Sequence, residues 1–357
     1  MIDLSRYFSP KYASLIPYTP GEQPKNQTFI KLNTNESPFP PSPKAQALAK
    51  AAAEDLQLYS DPECRDLVQT AAAKLGVDPG EILFTNGSDE ILNFAFMAFC
   101  DGDHGAIFPD ITYGFYKVFA ELNGVPYTEI PLKEDFSVDI QDYLGQNKTI
   151  FLANPNAPTG ISLPLSDIEK IVQSNPASVV VIDEAYVDFG AESAVSLIHR
   201  YDNLLVTQTF SKSRSMAGAR LGFGIGCKDL IWDLNTIKYS TNPYNVNRMT
   251  MAAGIGALED DDYFRHNCQT IKNIRDWTGQ QMTALGFAFP ESATNFLFAR
   301  HSSIPGKALY QALRQKGILV RHFDQPKLTD YLRITIGSQG QMQALIGALK
   351  EILEESL

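Results

Sequence analysis

The chain has 357 residues, of which 44% are hydrophobic and 20% are charged, and its net charge is −11 at pH 7. This composition is typical of a globular protein that is long enough for two domains. The negative charge argues against nucleic acid or an anionic membrane as the main partner, since both favour a basic surface.

Other classes of protein are disfavoured by particular stretches of the chain. The N-terminal sequence MIDLSRYFSPKY has no continuous apolar core and does not predict a signal peptide. The most apolar stretch, residues 91–100, is too short to span a bilayer. We therefore expect a cytoplasmic protein with reduced thiols and no membrane partner. Neither the four cysteines nor the five histidines have the spacing of a metal site, so no metal is expected.

The first 43 residues are rich in proline, tyrosine and asparagine. Their repeated prolines exclude long helices, and we predict an extended N-terminal arm, residues 1–43, that lies over another part of the molecule. Helices are predicted next at residues 45–56 and 67–74, and Gly76 closes the second of them.

From residue 82 onward, short apolar runs alternate with helical patterns. Strands are predicted at residues 82–85, 104–108, 125–130, 149–153, 179–182 and 204–207, followed by a glycine-broken apolar run at 219–225. Helices are predicted between them at residues 90–99, 113–123 and 168–173. This alternation specifies an α/β fold with a mainly parallel sheet and helices on both faces. We assign it to a large domain of residues 44–258.

The pattern changes from about residue 259. A long polar helix at residues 262–285 precedes predicted strands at 286–289, 295–299, 318–322 and 331–336, with helices at 306–316 and 339–353. This mixture predicts a smaller α+β C-terminal domain of residues 259–357.

Two residues with ionisable side chains, Asp183 and Lys212, follow predicted strands of the large domain. Asp183 comes directly after four apolar residues, where a buried carboxylate is costly without a cationic partner. Lys212 lies just beyond the strand at 204–207, with Arg214 and Arg220 close behind it. Burial near other cations lowers the pKa of an amine and makes it a nucleophile. A helix N-cap at Asp183 and a solvated basic loop around Lys212 are the alternative interpretations.

Motifs along nearly the whole chain resemble those of the fold-type-I family of pyridoxal-phosphate enzymes, and within it the histidinol-phosphate aminotransferases. The motifs, in chain order, are LNTNESPF (32–39), YSDPEC (59–64), NPNAPTG (154–160), DEAYVDF (183–189), SKSRSMAGARLGF (211–223) and YLRITIG (331–337). The resemblance implies a large domain with a mainly parallel seven-stranded sheet flanked by helices, a smaller C-terminal domain, and pyridoxal 5′-phosphate as cofactor.

The resemblance also implies catalytic roles for three residues. Lys212 would bond covalently to the cofactor at rest and move a proton during the reaction. Asp183 would pair with the pyridine nitrogen and keep it protonated. Tyr186 would hydrogen-bond to the phenolic oxygen of the ring; packing of this tyrosine in the interior is the alternative.

Further cofactor contacts follow from the same resemblance. The phosphate would meet the backbone N–H groups of Ser88 and Asp89 at a helix start, together with Ser211 and Arg220. Three other residues complete this set, in which Tyr113 would stack on the ring, Asn156 would touch the ring oxygen, and Tyr59 would reach the phosphate in a neighbouring subunit. The last of these implies a homodimer.

One departure from the family pattern concerns the residue before PTG. The family commonly has Asn there, but this chain has Ala157, so we assign the role to Asn156. The closely spaced glycines at 222, 224 and 226 are interpreted as close packing of a strand near the cofactor.

On the substrate side, Arg333 lies inside an otherwise apolar strand, where a guanidinium without an anion is costly. The resemblance implies that it receives the α-carboxylate of glutamate and, in the other half-reaction, the phosphate of histidinol phosphate. Arg321 would be a second phosphate contact, with a surface position as the alternative. Tyr18 and Asn35 of the arm would close the site over the substrate.

The predicted function is therefore amino transfer between glutamate and 2-oxoglutarate on one side and histidinol phosphate and imidazole-acetol phosphate on the other. An aromatic amino acid aminotransferase is the first alternative. A phospho-amino-acid decarboxylase would share the cofactor residues, and a non-catalytic pyridoxal-phosphate-binding module is a more remote alternative. Motifs do not encode the pocket shape that decides between these substrates.

Overall fold

The computed structural model describes residues 5–13, 15–16, 21–23 and 29–355. Within these ranges the strands form sheets of seven, four and two strands. The strands are β1 (Ile30–Lys31), β2 (Ile82–Asn86), β3 (Ala106–Pro109), β4 (Tyr127–Ile130), β5 (Thr149–Ala153), β6 (Val180–Asp183), β7 (Leu204–Thr209), β8 (Leu221–Gly226), β9 (Phe287–Ala288), β10 (Phe296–His301), β11 (Ile318–Leu319), β12 (Arg321–His322) and β13 (Tyr331–Thr335). The α-helices are α1 (Pro43–Ala52), α2 (Arg65–Leu75), α3 (Ser88–Phe99), α4 (Phe115–Asn123), α5 (Leu165–Ser174), α6 (Lys228–Thr241), α7 (Arg248–Glu259), α8 (Asp261–Ala284), α9 (Gly306–Gln315) and α10 (Gln339–Glu355).

The seven-stranded sheet has the order β2-β8-β7-β6-β5-β3-β4. Strands β3 to β7 are parallel, whereas β8 runs antiparallel to both of its neighbours. The central strands read as continuous apolar runs because helices cover both faces of the sheet. Helices α1, α2, α5 and α7 contribute to the core on one face, and α3, α4 and α6 to the core on the other. The predicted α/β fold with a mainly parallel sheet is confirmed.

The smaller sheet has the order β12-β13-β10-β9 and is antiparallel throughout. Its apolar side chains pack with those of α8, α9 and α10 in a separate core. The predicted α+β lobe is therefore present. The domain bounds at residues 43 and 258 stay predictions.

The predicted strand at residues 318–322 is divided between two sheets. β11 pairs in parallel with β1, which belongs to the arm, and β12 pairs with β13. The arm is thus attached to the smaller lobe by main-chain hydrogen bonds between Ile30 and Gly317 and between Leu32 and Leu319. This attachment accompanies contacts of Thr34 with Lys212 and of Asn35 with Tyr186.

Two helices, α6 and α7, were not predicted from the sequence. In α7 the glycines weaken the helical signal, yet each sits at a close contact. A Cβ on Gly256 would lie 2.7 Å from the backbone of Ala45 in α1, and one on Gly254 would lie 2.5 Å from Leu221. None of the helices in the described ranges is long and apolar enough to cross a membrane.

Candidate active site

The carboxyl ends of the central parallel strands form one edge of the large sheet. Ala153, Asp183 and Thr207 are direct neighbours across β5, β6 and β7. A cavity of about 380 Å³ opens at this edge, and Asp183 and Lys212 both line it. The structure therefore brings together the two residues on which the sequence interpretation depends.

Asp183 is the last residue of β6 and is only 4% exposed. Its Oδ2 accepts a hydrogen bond from the Tyr116 hydroxyl at 3.1 Å, and its Oδ1 accepts one from the backbone N–H of Ala185 at 3.2 Å. Burial raises the pKa of Asp183 to about 7, although the bond from Tyr116 acts in the opposite direction. A cation placed beside this carboxylate would be stabilised strongly, because little water competes for it.

Lys212 follows β7 on a loop that returns to β8. Its Nζ donates to the backbone carbonyl of Thr34 at 3.3 Å and lies 5.9 Å from the centre of the Tyr186 ring. Burial, and after it the charge of Arg333, lowers the pKa of Lys212 to about 8. A minor part of the amine is therefore neutral and nucleophilic near neutral pH, and this part increases as the pH rises toward 8.

The start of α3 also lines the cavity. This helix begins after Gly87 without a side-chain cap, and its first two residues, Ser88 and Asp89, both line the cavity. The N–H groups of an uncapped helix start attract anions. The Asp89 carboxylate accepts a 2.6 Å hydrogen bond from the Tyr113 hydroxyl and forms a 2.8 Å ion pair with Arg220. Ser211 lines the same cavity.

Strand β8 approaches this helix start very closely. A Cβ on Gly222 would lie 2.2 Å from the backbone nitrogen of Ser88, and one on Gly224 would lie 3.0 Å from Ile91. The glycine run thus permits close packing beside the cavity.

A second cavity of about 420 Å³ adjoins the first and shares Lys212, Tyr186 and Tyr113 with it. Arg333 and Arg321 line this second space, and they lie opposite each other in the register of β13 and β12. Arg333 also donates to the backbone carbonyl of Asn33 at 3.1 Å. Two guanidinium groups on adjacent strands form a site suited to a carboxylate or a phosphate.

Tyr186 and Asn35 join the arm to this site. The Asn35 side chain donates to the Tyr186 hydroxyl at 2.8 Å, and the Tyr186 ring packs edge-on against Phe296. Asn35 is 1% exposed and lines the second cavity. The structure therefore places Asn35 at the second cavity, and its role in closing the site over substrate stays a prediction.

Two predicted site residues, Asn156 and Tyr59, are not brought to the cavities of their own chain. The Asn156 amide is engaged instead with Ile111 and Thr112 of the segment after β3 and with Thr159 of its own loop, and Ala157 lines the cavity. Tyr59 is 80% exposed and stacks on Tyr244 with ring centres 4.6 Å apart. Tyr18 lies outside the described residues.

Two residues of the site were missed from the sequence. Tyr116, which holds Asp183, follows Tyr113 by three positions, the spacing that places two side chains on one side of a helical turn. Glu36 lines the first cavity and accepts hydrogen bonds from Lys31 at 2.8 Å and from Thr34 at 2.9 Å. Its place in the arm gave no local signal of this role. Among the described residues, no group of three or more His, Cys, Asp or Glu side chains could hold a metal ion.

Comparison with known proteins gives consistent results. Residues 27–349 match the family model described as aminotransferase class I and II. A histidinol-phosphate aminotransferase of Acinetobacter baumannii is 47% identical over 350 residues, which cover 97% of each chain. One of Brachyspira hyodysenteriae is 47% identical over 353 residues, 98% of this chain and all of that protein. The crystal structure of histidinol-phosphate aminotransferase from Sinorhizobium meliloti in complex with pyridoxal-5′-phosphate superposes with a TM-score of 0.90 at 26% identity, covering 100% of both chains.

Proposed function

This chain belongs to the class I and II aminotransferase family, and from that membership we propose that it transfers an amino group between glutamate and imidazole-acetol phosphate with pyridoxal phosphate as cofactor. The observation that carries the proposal is the cleft in which the Lys212 amine and the Asp183 carboxylate adjoin the paired guanidinium groups of Arg321 and Arg333. Near-full-length identity of 47% to histidinol-phosphate aminotransferases supports the choice of substrate.

The first cavity fits pyridoxal phosphate in the chemistry of its lining. The uncapped start of α3, together with Ser211 and Arg220, suits a phosphate. The buried Asp183 carboxylate suits a protonated pyridine nitrogen, and the Lys212 amine suits an aldehyde. These three features match the phosphate, the ring nitrogen and the aldehyde of the cofactor.

When bound, pyridoxal phosphate supplies a carbonyl carbon that receives the amino group and a ring that withdraws electrons from the substrate Cα. Lys212 would hold the cofactor covalently until substrate displaces it. Its freed Nζ, whose pKa is lowered to about 8 mainly by burial, can then take the proton from the substrate Cα. Asp183 would remain ionised beside the ring nitrogen, and Tyr186 would hydrogen-bond to the ring oxygen.

The second cavity would hold the substrate. Arg333 and Arg321 are opposed in the β12–β13 register, so a phosphate between them could accept hydrogen bonds from both. In the glutamate half-reaction Arg333 would bind the α-carboxylate. The two guanidinium groups interact more strongly with a doubly charged phosphate than with a singly charged carboxylate. They therefore favour histidinol phosphate over an unphosphorylated aromatic amino acid.

We also propose that the working unit is a homodimer in which Tyr59 reaches the phosphate in the partner's site. Tyr59 lines neither cavity of its own chain. Several large apolar side chains near it are exposed, and a second copy would cover them: Leu56 is 56%, Leu58 57% and Tyr244 44% exposed.

A single-turnover screen tests the substrate. The cofactor-loaded protein is mixed in turn with histidinol phosphate, phenylalanine, tyrosine and phosphothreonine, and the loss of its visible absorbance is followed. We expect histidinol phosphate to react with the highest second-order rate constant and to leave a keto product that retains the phosphate. A faster reaction with phenylalanine or tyrosine, or release of carbon dioxide from phosphothreonine, would overturn the proposal.

A further inference from the structure

Tyr116 is a buried residue with a polar contact to the site that neither the motifs nor the proposed mechanism uses. It lies in the first turn of α4, is 0% exposed, and directs its hydroxyl to Asp183 Oδ2 at 3.1 Å. Burial raises the pKa of Tyr116 well above its ordinary value, so the phenol stays protonated and acts as the donor in this bond.

We propose that Tyr116 is a positioning residue for the cofactor ring, because it orients the Asp183 carboxylate and keeps it ionised for the pyridine nitrogen. The inference rests on the proposed function, since it assigns the partner of Asp183 as that nitrogen. Tyr116 itself lines neither cavity and acts through Asp183.

The geometry fixes the carboxylate from both sides. Tyr116 donates to one oxygen and the Ala185 N–H to the other, so rotation of the Asp183 side chain would break both bonds. Each carboxylate oxygen can accept a further hydrogen bond. The remaining acceptor capacity is available to a group in the cavity, which Asp183 lines.

The phenol has little freedom to move away from this bond. Its ring packs against Phe108 and Phe151 with centres 5.8 Å away in each case. It also meets the ring of Tyr113 edge-on at 5.8 Å and 86°. Tyr113 is the residue predicted to stack on the cofactor ring. The same short segment would therefore contact the face of the ring through Tyr113 and position the partner of its nitrogen through Tyr116.

The hydrogen bond from Tyr116 lowers the pKa of Asp183 and so opposes the effect of burial, which raises it. Two charged groups also act on Asp183: Asp89 on α3 raises its pKa, and Lys212 lowers it. Loss of the phenol would leave Asp183 with Ala185 N–H as its other donor in the described structure, and its pKa would rise further. A protonated Asp183 makes a weaker partner for a pyridinium.

The test compares two ligands on cofactor-free protein. One is pyridoxal phosphate, and the other is its analogue with C–H in place of the ring nitrogen, which retains the aldehyde and phosphate. The dissociation constant of the analogue divided by that of pyridoxal phosphate measures what the ring nitrogen contributes to binding. We expect Tyr116→Phe to reduce this ratio about tenfold, the size expected for a lost hydrogen bond to a charged group. The affinity for the analogue should change little.

Two further variants separate positioning from packing. Tyr143 is also fully buried in the core of the large sheet, but its hydroxyl has no hydrogen-bond partner in the described part of the chain. Tyr143→Phe should therefore leave the ratio unchanged. In an Asp183→Asn background, Tyr116→Phe should have no further effect on the ratio, because the two residues act as one unit.

A direct measurement of Asp183 uses a second variant as well, 3-fluorotyrosine at position 116, which covers the case in which Tyr116→Phe fails to fold. The carboxyl stretch that disappears in Asp183→Asn is titrated by infrared difference spectroscopy. Tyr116→Phe should raise the pKa of Asp183, and 3-fluorotyrosine at position 116, a stronger donor of similar size, should lower it. If wild-type protein does not distinguish the two ligands, the role of Asp183 in the proposed function fails. If it does distinguish them and neither variant moves the ratio or the pKa, the assignment of Tyr116 is wrong.

Discussion

The side-chain amide of Asn35 donates a 2.8 Å hydrogen bond to the hydroxyl of Tyr186, and this bond joins the N-terminal arm to the rim of the large sheet. The same asparagine is held by Thr335 on β13, whose Oγ1 accepts from the Asn35 N–H at 2.9 Å and donates to its Oδ1 at 3.1 Å. Asn35 therefore connects both lobes beside the substrate cavity. Its backbone φ is +55°, a left-handed conformation that asparagine and glycine tolerate best.

This geometry predicts different results for two substitutions at position 35. Asn35→Gly keeps the left-handed backbone and removes the side chain, so we expect kcat/KM to fall about fivefold to tenfold, as for a lost hydrogen bond of about 1 kcal/mol. Asn35→Ala should show the same kinetic loss and a further 1–2 kcal/mol or so of lost stability from backbone strain. Steady-state kinetics and urea unfolding provide the two measurements. Equal stability of the variants would contradict the role of the backbone.

Arg333 should matter in both half-reactions and Arg321 in one. Arg333→Lys keeps the charge but loses the two-pronged donor geometry, and we expect kcat/KM to fall roughly tenfold or more for glutamate and for histidinol phosphate. Arg321→Ala should lower kcat/KM for histidinol phosphate and leave kcat/KM for glutamate unchanged. Arg300→Ala on the adjacent β10, where the side chain is exposed, is the matched control. Loss of the glutamate reaction alone in Arg333→Lys would refute its dual role.

The depressed pKa of Lys212 predicts a pH profile for cofactor capture. The neutral amine is the reactive form, so the rate of covalent attachment should rise with pH and level off above about 8, because burial lowers the pKa of Lys212 from 10.5 to about 8. Borohydride trapping followed by mass analysis of the peptide containing Lys212 measures this rate. In Arg333→Ala the midpoint should shift upward, since the Arg333 charge helps to lower that pKa. A wild-type midpoint near 10, or trapping at another lysine, would contradict the assignment.

Gly222 predicts a steric effect on the phosphate end of the cavity. A Cβ there would lie 2.2 Å from Ser88 N and 2.5 Å from the Gly87 carbonyl carbon, so Gly222→Ala must displace the start of α3. We expect about 1–3 kcal/mol of lost stability together with weaker binding of pyridoxal phosphate. Gly347→Ala, inside α10 at a site where a Cβ meets nothing within 4 Å, should leave cofactor binding unchanged and should not lower stability, because alanine favours a helix more than glycine does. Thermal unfolding measures the stability of both variants, and equilibrium titration of the cofactor-free proteins with pyridoxal phosphate measures their affinity for it.

The sequence was sufficient to predict the meeting of Asp183 and Lys212. Both follow apolar runs of parallel strands, and the carboxyl ends of such strands share one edge of the sheet. The position of Arg333 within β13 was equally readable, because a guanidinium in an apolar strand calls for an anion.

Features that depend on contacts between distant segments were not readable in this way. The bond from Tyr116 to Asp183 spans 67 residues, and nothing local distinguishes this tyrosine from one that only packs. Asn156 was assigned to the ring oxygen, but its amide is held by Ile111 and Thr112, which are 45 and 44 residues away, as well as by Thr159. Helix α7 was not predicted because its glycines weaken the helical pattern; Gly256 permits the close approach of α1.

The proposed role of Tyr59 in the partner's site predicts recovery of activity in mixed dimers. Tyr59→Ala and Lys212→Ala homodimers should each have low activity, the first through weaker phosphate binding and the second through loss of the amine. When the two are unfolded, mixed and refolded together, half of the dimers should be hybrids. Each hybrid then has one site that combines an intact Lys212 with the other subunit's intact Tyr59. Recovery to about a quarter of wild-type activity is expected, because half of the dimers carry one of two working sites.

The matched control uses two residues that line the same cavity within one chain. Asp183 and Lys212 both line the first cavity, so every site in an Asp183→Ala and Lys212→Ala hybrid retains one defect. That mixture should therefore recover no activity. If Tyr59 acted within its own chain, its mixture with Lys212→Ala would behave in the same way, since no hybrid site would hold both intact residues. Recovery in the Tyr59 mixture and none in the Asp183 mixture is the pattern that only contribution across the subunit boundary produces.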